Sequence, residues 1–457
     1  MSQANQTLLA GAASVDTTPP LGTIINGDFI PHYAKFIHDP LYAKALWLEI
    51  GETILVFVVV DICVMGQELI NQAKALICKA QGLDPACIMV SSTHTHAAGA
   101  VEEVHLVAAD LAYRKRVPEY IADAVALAGK KKQPAQLAFG TAQAPEHAVC
   151  RRFWMKDNFT SINPVSGEQD AIKTNPFGAE HQILSPVSKP DPELAFLAVR
   201  TLKDEWISVL ANYSMHYVGD WESGTITADY FGTFSKALKQ QLGAKEDFIG
   251  ILSNGTSGDI NIWDFLKEKK YPETYFAKGQ LIGEDLAAKL VEQIAELTWE
   301  TQPNLAYRHA VVEVKRRLPN EKELAEASEK VGRGDYENLQ PNQEGWEYLY
   351  AREQVLLAGF PAVAKCPVQV FDVGPGCIGA LPGEIFAETG LKIKKELNGK
   401  PYFTICLANG NLGYVPPLHE LERGGYESWR CRISNLDGSA EETLRSKLLE
   451  MIRAVPS

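Results

Sequence analysis

The stretch TILVFVVV, residues 53–60, is apolar and largely β-branched along its whole length. Because its residues on both faces are apolar, the run predicts a strand buried on both sides of a sheet. Apolar residues with helical spacing follow over 66–80, and residues 85–90 predict the next buried strand. The order strand, helix, strand is typical of two parallel strands joined by a crossover helix, and it predicts an α/β fold.

The rest of the chain continues with both kinds of element. Further elements are predicted as strands at 41–49, 195–200 and 206–212, an amphipathic helix at 278–297 and charged helices at 318–356. Residues 155–190 are polar and rich in Gly, Pro, Asn and Ser, which predicts a long surface excursion. Sheet-like segments return late, in PVQVFDV, CIGALPG and YFTICLAN. We therefore predict one large domain over 1–457, with a mixed β-sheet core flanked by helices.

The composition narrows the class of partner. The formal net charge of −13 argues against nucleic acid or an anionic membrane, because both require a basic surface. The chain begins without a basic and then apolar leader, and it has no apolar run long enough to span a bilayer, so we expect a cytoplasmic protein without stable membrane insertion. A small-molecule substrate is the expected partner, and the chain could be a monomer or a homo-oligomer.

Two histidines in SSTHTHAAGA, residues 91–100, are the first candidate functional residues. His94 and His96 follow the predicted strand at 85–90, at the sheet edge where open α/β folds gather ligands. At this spacing both imidazoles can share one face of an extended segment. The pattern suits a metal, a catalytic pair or merely a polar strand end, and a catalytic zinc needs about three protein ligands.

Three more candidates follow other apolar strands. His216 lies in WISVLANYSMHYVGD, Glu384 in CIGALPGEIF and Tyr414 in ICLANGNLGY. Each has a simpler interpretation: a packed histidine, a glutamate favoured at a helix N-terminus by the helix dipole, and a packing tyrosine. A phenol near a cation can nevertheless lose its proton and bind. Four groups from distant parts of the chain thus converge on one edge of the predicted sheet.

Two further segments carry polar candidates. The glycines of LSNGTSGDINIWDF, residues 252–265, let backbone N–H groups approach a ligand, although Asp259 and Asn261 could simply complete a tight turn. Arg151 and Arg152, in AVCRRFWMKD, could clamp a substrate carbonyl or carboxylate, or be surface charges.

Taken in order, these motifs resemble the catalytic domain of neutral/alkaline non-lysosomal ceramidases, which are zinc-dependent amidases. The resemblance extends from AGAASVDTTPPLG through IHDPLYAKALWLE, VVVDICVMG, SSTHTH, SGDIN and LPGE to GYVPP, and so over nearly the whole chain. It implies the following zinc ligands: His94, His216, Glu384 and Tyr414. It places His96 beside the metal and Arg151, rather than Arg152, at the site. Tyr426 keeps the family's spacing of twelve residues from Tyr414.

The chain departs from the family pattern at two points. The family has an essential serine in Gly-Asp-Val-Ser-Pro-Asn, whereas the run here is Gly258-Asp259-Ile260-Asn261, with Ser257 out of register. An amide cannot act as that nucleophile, but it can hydrogen-bond a substrate. We also expect the immunoglobulin-like domain of the secreted members to be missing. We therefore expect the family's scaffold and metal centre with a substrate other than ceramide.

The resemblance implies a zinc-dependent hydrolase that uses activated water on an amide or related carbonyl bond of a small polar molecule. In this scheme His96 transfers a proton, and Tyr426 stabilises the oxyanion. Arg151 and Asn261 orient the substrate, and Asp259 belongs to the same catalytic set. Two other functions stay open: a metal-dependent lyase or isomerase acting on a sugar or hydroxy acid, and a non-catalytic binding protein.

Overall fold

The structure, a computed structural model, describes residues 7–267 and 271–454. The strands in the first half are β1 (Leu9–Asp16), β2 (Ile24–Asn26), β3 (His32–Tyr33), β4 (Phe36–Ile37), β5 (Tyr42–Ile50), β6 (Thr53–Val60), β7 (Ile88–Ser92), β8 (Ala98–Gly99), β9 (Gln133–Gln143), β10 (Val149–Cys150), β11 (Arg152–Met155), β12 (Ile172–Thr174), β13 (Ile183–Pro186), β14 (Glu193–Thr201) and β15 (Trp206–Tyr213). Those that follow are β16 (Thr225–Ile226), β17 (Ile249–Asn254), β18 (Ile260–Asn261), β19 (Leu305–Lys315), β20 (Val363–Val373), β21 (Cys377–Ala380), β22 (Glu384–Ile385), β23 (Tyr402–Ile405) and β24 (Tyr414–Val415).

The helices are distributed along the whole chain. They are α1 (Gln67–Gln81), α2 (Leu111–Lys130), α3 (Asp229–Gln241), α4 (Ala277–Glu292), α5 (Glu321–Val331), α6 (Gln343–Leu357), α7 (Ala387–Glu396), α8 (Leu418–Glu422) and α9 (Ala440–Arg453). Within the described residues, none of them combines the length and apolar composition that a bilayer span requires. The cytoplasmic location and the oligomeric state stay predictions.

The largest sheet has the strand order β17-β15-β14-β9-β1-β5-β6-β7. Its central pairs are antiparallel, whereas β6–β7 at one edge and β15–β17 at the other are parallel. Helix α1 connects β6 to β7, as the sequence predicted. The predicted α/β class, with a mixed sheet flanked by helices, is confirmed.

Strand β6 is buried on both faces, which also confirms the prediction from its composition. Val56 and Val58 pack on one face with helices α1 and α2. Phe57 packs on the other face against Phe371, with ring centroids 5.0 Å apart, in a core shared with the second sheet, β19-β20-β21-β23. Burial of a side chain such as Phe57 contributes about 1.5–3 kcal/mol, so both faces stabilise the position of β6. Helices α3 and α4 cover the β14–β15 part of the large sheet.

The two edges of the large sheet meet through the segment that follows β23. Cys406 N–H donates to the carbonyl of Asn254, the last residue of β17, at 2.9 Å. Ser92 N–H, at the end of β7, donates to the carbonyl of Leu407 at 3.3 Å. These bonds place the carboxyl ends of β7 and β17 on either side of one chain segment. The residues after both strands are thereby brought to one place.

Several local predictions need correction. The strand predicted from Pro85 begins only at Ile88, because residues 85–87 form a 3₁₀ turn. Glu384 does not begin a helix: it lies in β22, and α7 starts at Ala387. Residues 155–190 contain β12 and β13, which pair with β11 in a three-stranded sheet. The single domain was predicted over 1–457, and the structure does not describe three parts of it: residues 1–6, 268–270 and 455–457.

Candidate metal centre and substrate cavity

His94 lies two residues beyond the end of β7. Its backbone has φ +74°, a left-handed conformation that is uncommon for a residue with a side chain, so the predicted extended arrangement of the two histidines is wrong here. His94 Nδ1 lies 2.9 Å from the carbonyl oxygen of Cys63. A carbonyl only accepts hydrogen bonds, so Nδ1 carries a proton and Nε2 is the atom that faces the other candidate residues.

His216 is oriented in the same way after β15. Its Nδ1 lies 2.8 Å from the carbonyl oxygen of Ser257, in the loop after β17. The proton again belongs on Nδ1, which leaves Nε2 as the ligand atom. The rings of His94 and His216 lie with centroids 4.8 Å apart at an interplanar angle of 86°, and both are buried.

Glu384 completes the group. Its Oε2 lies 3.5 Å from His94 Nε2 and 3.2 Å from His216 Nε2. Glu384 Oε2 and His216 Nε2 are buried, and neither has a hydrogen-bond partner in the part of the chain that the structure describes. Buried polar atoms without partners are costly unless an ion or a water satisfies them.

The donor set and its spacing fit a zinc ion. Zinc in proteins binds histidine nitrogen and carboxylate oxygen at about 2.0–2.2 Å in tetrahedral sites, which puts neighbouring ligand atoms about 3.3 Å apart. The separations of Glu384 Oε2 from the two imidazole nitrogens, 3.2 and 3.5 Å, agree with this geometry. Tyr414 pairs with Glu384 across the parallel strands β22 and β24 and lines the same recess as His94 and Glu384. Of the four predicted metal ligands, His94, His216 and Glu384 have ligand atoms within 4.8 Å of one another.

The charge states follow from burial and from neighbouring groups. Burial lowers the pKa of His216 to about 4, so its imidazole is neutral at pH 7. Burial opposes ionisation of Glu384, but His94 and His216 hold the pKa of this carboxyl well below its usual value. Burial raises the pKa of Tyr414 well above 10, and Glu384 adds to this effect. A cation at the site would favour the phenolate, as it does for other metal-bound groups.

His96 stands beside the three ligand atoms. Its Nε2 lies 3.1 Å from His94 Nε2, and its ring stacks on Tyr217 with centroids 3.7 Å apart. Burial lowers the pKa of His96 well below 6.5, and the nearby His94 acts in the same direction. Gly27 allows this packing: its φ is +118°, and a Cβ there would lie 2.4 Å from His96 Cβ.

Arg151 and Arg152 point to different surroundings. Arg151 lines the main cavity, where its Nε donates to Glu427 Oε1 at 2.7 Å and its Nη2 donates to the carbonyl of Gly258 at 2.7 Å. Arg152 is fully buried, bonded to Glu427 and Glu420, and does not line that cavity. The geometry therefore agrees with the choice of Arg151 over its neighbour.

Asp259 and Asn261 are near the site but do not line the main cavity. Asp259 Oδ2 accepts a hydrogen bond from Ser188 at 2.6 Å, and its Oδ1 accepts one from Ala387 N–H, at the start of α7, at 2.8 Å. Asn261 Nδ2 donates to Asn175 Oδ1 at 2.7 Å. These contacts support neighbouring elements, and only Asn175 itself faces the cavity.

A cavity of about 600 Å³ opens beside the candidate centre. It is lined by four of the predicted residues already described and by Tyr426, whose ring meets that of Tyr414 at a centroid distance of 5.5 Å. His94 and Glu384 line an adjoining recess of about 50 Å³. The sequence did not single out several other lining residues: Phe29, Lys173, Asn175, Tyr217, Trp346 and Trp429. They come from unrelated segments, so no local pattern distinguishes them.

No protein-family model and no curated protein matches the sequence. Among solved structures, the chain is similar to neutral ceramidase from Pseudomonas aeruginosa, with a TM-score of 0.73 and 16% identity over 99% of this chain and 75% of that one. It is also similar to a ceramidase complexed with C2, with a TM-score of 0.72 and 15% identity over the same shares of the two chains. The chain therefore has a neutral-ceramidase-like fold.

Proposed function

We propose that this protein is a zinc-dependent hydrolase that cleaves an amide or related carbonyl bond in a small substrate. The observation that carries the proposal is the convergence of two imidazoles and one carboxylate, with unpartnered buried atoms, beside a cavity. The similarity to ceramidase structures supports a hydrolase on this scaffold.

The proposed ligands are His94, His216, Glu384 and Tyr414. A bound zinc ion supplies Lewis-acid activation of water and of a carbonyl oxygen. The chain contributes fixed positions: the hydrogen bonds from both Nδ1 atoms to backbone carbonyls hold the two imidazoles with Nε2 toward the carboxylate. This orientation needs no rearrangement when substrate arrives.

His96 is the proposed proton carrier. Its lowered pKa keeps the imidazole neutral at pH 7, so Nε2 can accept a proton and pass it to the leaving group. Stacking on Tyr217 fixes the ring plane. Transfer of this kind contributes about 10²–10⁴-fold to a rate.

Tyr426 and Arg151 are the proposed substrate-contacting groups. The Tyr426 side chain lines both the cavity and the recess. Burial raises the pKa of Tyr426 well above 10, so the phenol stays protonated at pH 7 and can donate a hydrogen bond to an oxyanion. The Arg151 guanidinium is held by Glu427 and Gly258, which fixes its position toward the substrate.

The size of the cavity supports a small substrate. A volume of about 600 Å³ is within the range of about 300–1,000 Å³ that is usual for small-molecule sites. Asn261 replaces the serine that the ceramidase pattern requires, and its side chain is engaged with Asn175. We therefore propose a substrate other than ceramide.

The proposal is tested by measuring hydrolysis of a panel of N-acyl amides by purified protein, first after removal of bound metal and then after addition of zinc. We expect activity only after reloading, and none in Glu384→Ala at the same zinc concentration. Hydrolysis in ¹⁸O-water must place label in the product. Turnover without label would indicate a lyase or isomerase, and zinc binding without any turnover would indicate a binding protein.

A further inference from the structure

Lys173 lines the cavity without a counter-ion. It is the middle residue of β12, half-buried, with its backbone paired to Phe153 of β11. Among residues 7–267 and 271–454, none forms an ion pair within 4.0 Å or a side-chain hydrogen bond with Lys173, and Asp170 is the one carboxylate that affects its pKa. Lys173 therefore lines the cavity with its ammonium donors unused.

Two other charged side chains line the cavity. The charge of Arg151 is matched by Glu427 at 2.7 Å. Asp28 lies 2.8 Å from His32, which matches its charge only when that imidazole is protonated. The carboxylate of Asp170, which is close enough to influence Lys173, accepts a hydrogen bond from Trp429 Nε1 at 2.8 Å instead.

A half-buried ammonium group without a partner carries an unfavourable free energy of desolvation. The same burial lowers the pKa of Lys173, with Asp170 opposing the shift. An anion delivered by a ligand would restore the lost interactions of the ammonium group, and a charge-assisted hydrogen bond is stronger than a neutral one. Lys173 thus offers one unmatched positive charge to an anionic group of a ligand in the cavity.

We propose that the substrate is an amide that carries a carboxylate, in the class of N-acyl amino acids, and that Lys173 binds this carboxylate. The proposal rests on the proposed function and narrows its substrate class. Lys173 is then a specificity-determining residue of the same cavity, distinct from the residues that hold the metal.

A carboxylate suits these surroundings better than a phosphate. Lys173 supplies one positive charge, and phosphate sites usually present several donors from arginine or from a helix N-terminus. Asp28 also lines the cavity and would repel the second charge of a phosphate monoester. Asn175, which faces the cavity beside Lys173 in sequence, offers an amide for the same carboxylate.

An aromatic wall is available for the apolar part of such a substrate. Phe29 meets Trp346 at a centroid distance of 4.7 Å and Tyr426 at 5.8 Å, and Trp429 lines the same cavity. Apolar and aromatic walls with a few polar groups are the usual pattern of sites that bind small molecules. A leucine-like side chain or an acyl chain could pack there while its carboxylate reaches Lys173.

Calorimetric binding to the purified zinc-loaded chain at pH 7 tests the proposal. The probes are the N-acetyl and N-benzoyl derivatives of glycine and leucine, each compared with its isosteric amide, such as N-acetylleucinamide. We expect the acids to bind about 10–100-fold more tightly than the amides, and Lys173→Met to remove this preference. Lys173→Arg should largely retain it, and Lys189→Met, an exposed lysine away from the cavity, should not change it.

The outcomes separate this proposal from the proposed function. Equal binding of acids and amides, equal binding by wild-type and Lys173→Met, or no binding of any acid at millimolar concentration would overturn the carboxylate assignment. Turnover of neutral amides would still support the hydrolase in that case. Preferential binding of acids that Lys173→Met abolishes, without zinc-dependent cleavage of any of them, would support the assignment and count against the hydrolase.

Discussion

Glu384 and Tyr414 lie directly opposite each other in the short parallel pair β22 and β24. Glu384 N–H donates to the carbonyl of Gly413 at 2.8 Å, which links the two strands. Gly413 has φ +71°, and a Cβ there would lie 2.0 Å from the carbonyl oxygen of Ile433, so this position requires glycine. The backbone thus sets a carboxylate and a phenol side by side before any metal binds.

The first prediction concerns metal binding. His216→Ala should lower zinc affinity more than about 100-fold, because loss of a group that merely orients a ligand already costs about 10–100-fold. Zinc content after dialysis, measured by mass spectrometry, checks this. His181→Ala, an exposed histidine, is the control and should keep the metal. Full zinc retention in His216→Ala would exclude it as a ligand.

The second prediction separates the two tyrosines. Tyr426→Phe should lower kcat by about 10²–10³-fold with zinc content unchanged, because it removes only a donor to the oxyanion. Tyr414→Phe should instead weaken zinc binding. Each change retains the ring packing between these residues. The reverse result, with metal loss in Tyr426→Phe alone, would contradict the assigned roles.

The third prediction concerns Asn261→Ser, which restores the residue type of the ceramidase pattern. A serine hydroxyl is too short to replace both the bond to Asn175 at 2.7 Å and the bond accepted from Trp263 N–H at 2.8 Å. We expect KM for the true substrate to rise about 2–10-fold, as for loss of one hydrogen bond. Assays with a fluorescent ceramide should show no gain of cleavage. The exposed Asn158→Ser is the control; ceramide cleavage by Asn261→Ser alone would show that the cavity accepts lipid.

The fourth prediction concerns stability and pH. Glu353 is buried and accepts hydrogen bonds from Arg432 Nε at 2.9 Å and Nη2 at 2.8 Å. Burial raises the pKa of Glu353, but His105 and Arg432 outweigh this and bring it well below 4.5. Glu353→Gln should therefore lower the free energy of unfolding by about 1.5–3 kcal/mol at pH 7.

The pH dependence follows from the direction of this shift. Because the folded-state pKa lies below the unfolded one, the ionised carboxylate stabilises the fold above about pH 4.5, and this contribution is lost as pH falls toward the folded value. Urea unfolding of wild type and Glu353→Gln should show a difference that narrows below pH 4.5. Glu119→Gln, in an exposed pair with Arg116, should change stability by less than about 1 kcal/mol. A difference independent of pH would contradict the ionised state.

Much of the fold follows from local composition. The run at 53–60 is apolar on both faces, and only a strand between two packed layers can bury it, so β6 and its parallel partner β7 were predictable. Local signals failed where tertiary contacts outweigh propensity. Glu384 follows Pro-Gly like a helix start, yet its N–H is taken by Gly413 and it joins a strand instead.

The candidate site, like the fold, was predictable from the sequence only in part. Residue type and position after apolar strands made His94, His216, Glu384 and Tyr414 candidates, because such strands end at a common sheet edge, and the family resemblance then selected them as metal ligands. Their spacing was not predictable, since it depends on the segment after β23 that joins the two sheet edges and on carbonyls that turn each imidazole. The residues that line the cavity could not be predicted for the same reason. No local sequence pattern marks Lys173 or Trp346, and only long-range packing brings them to one surface.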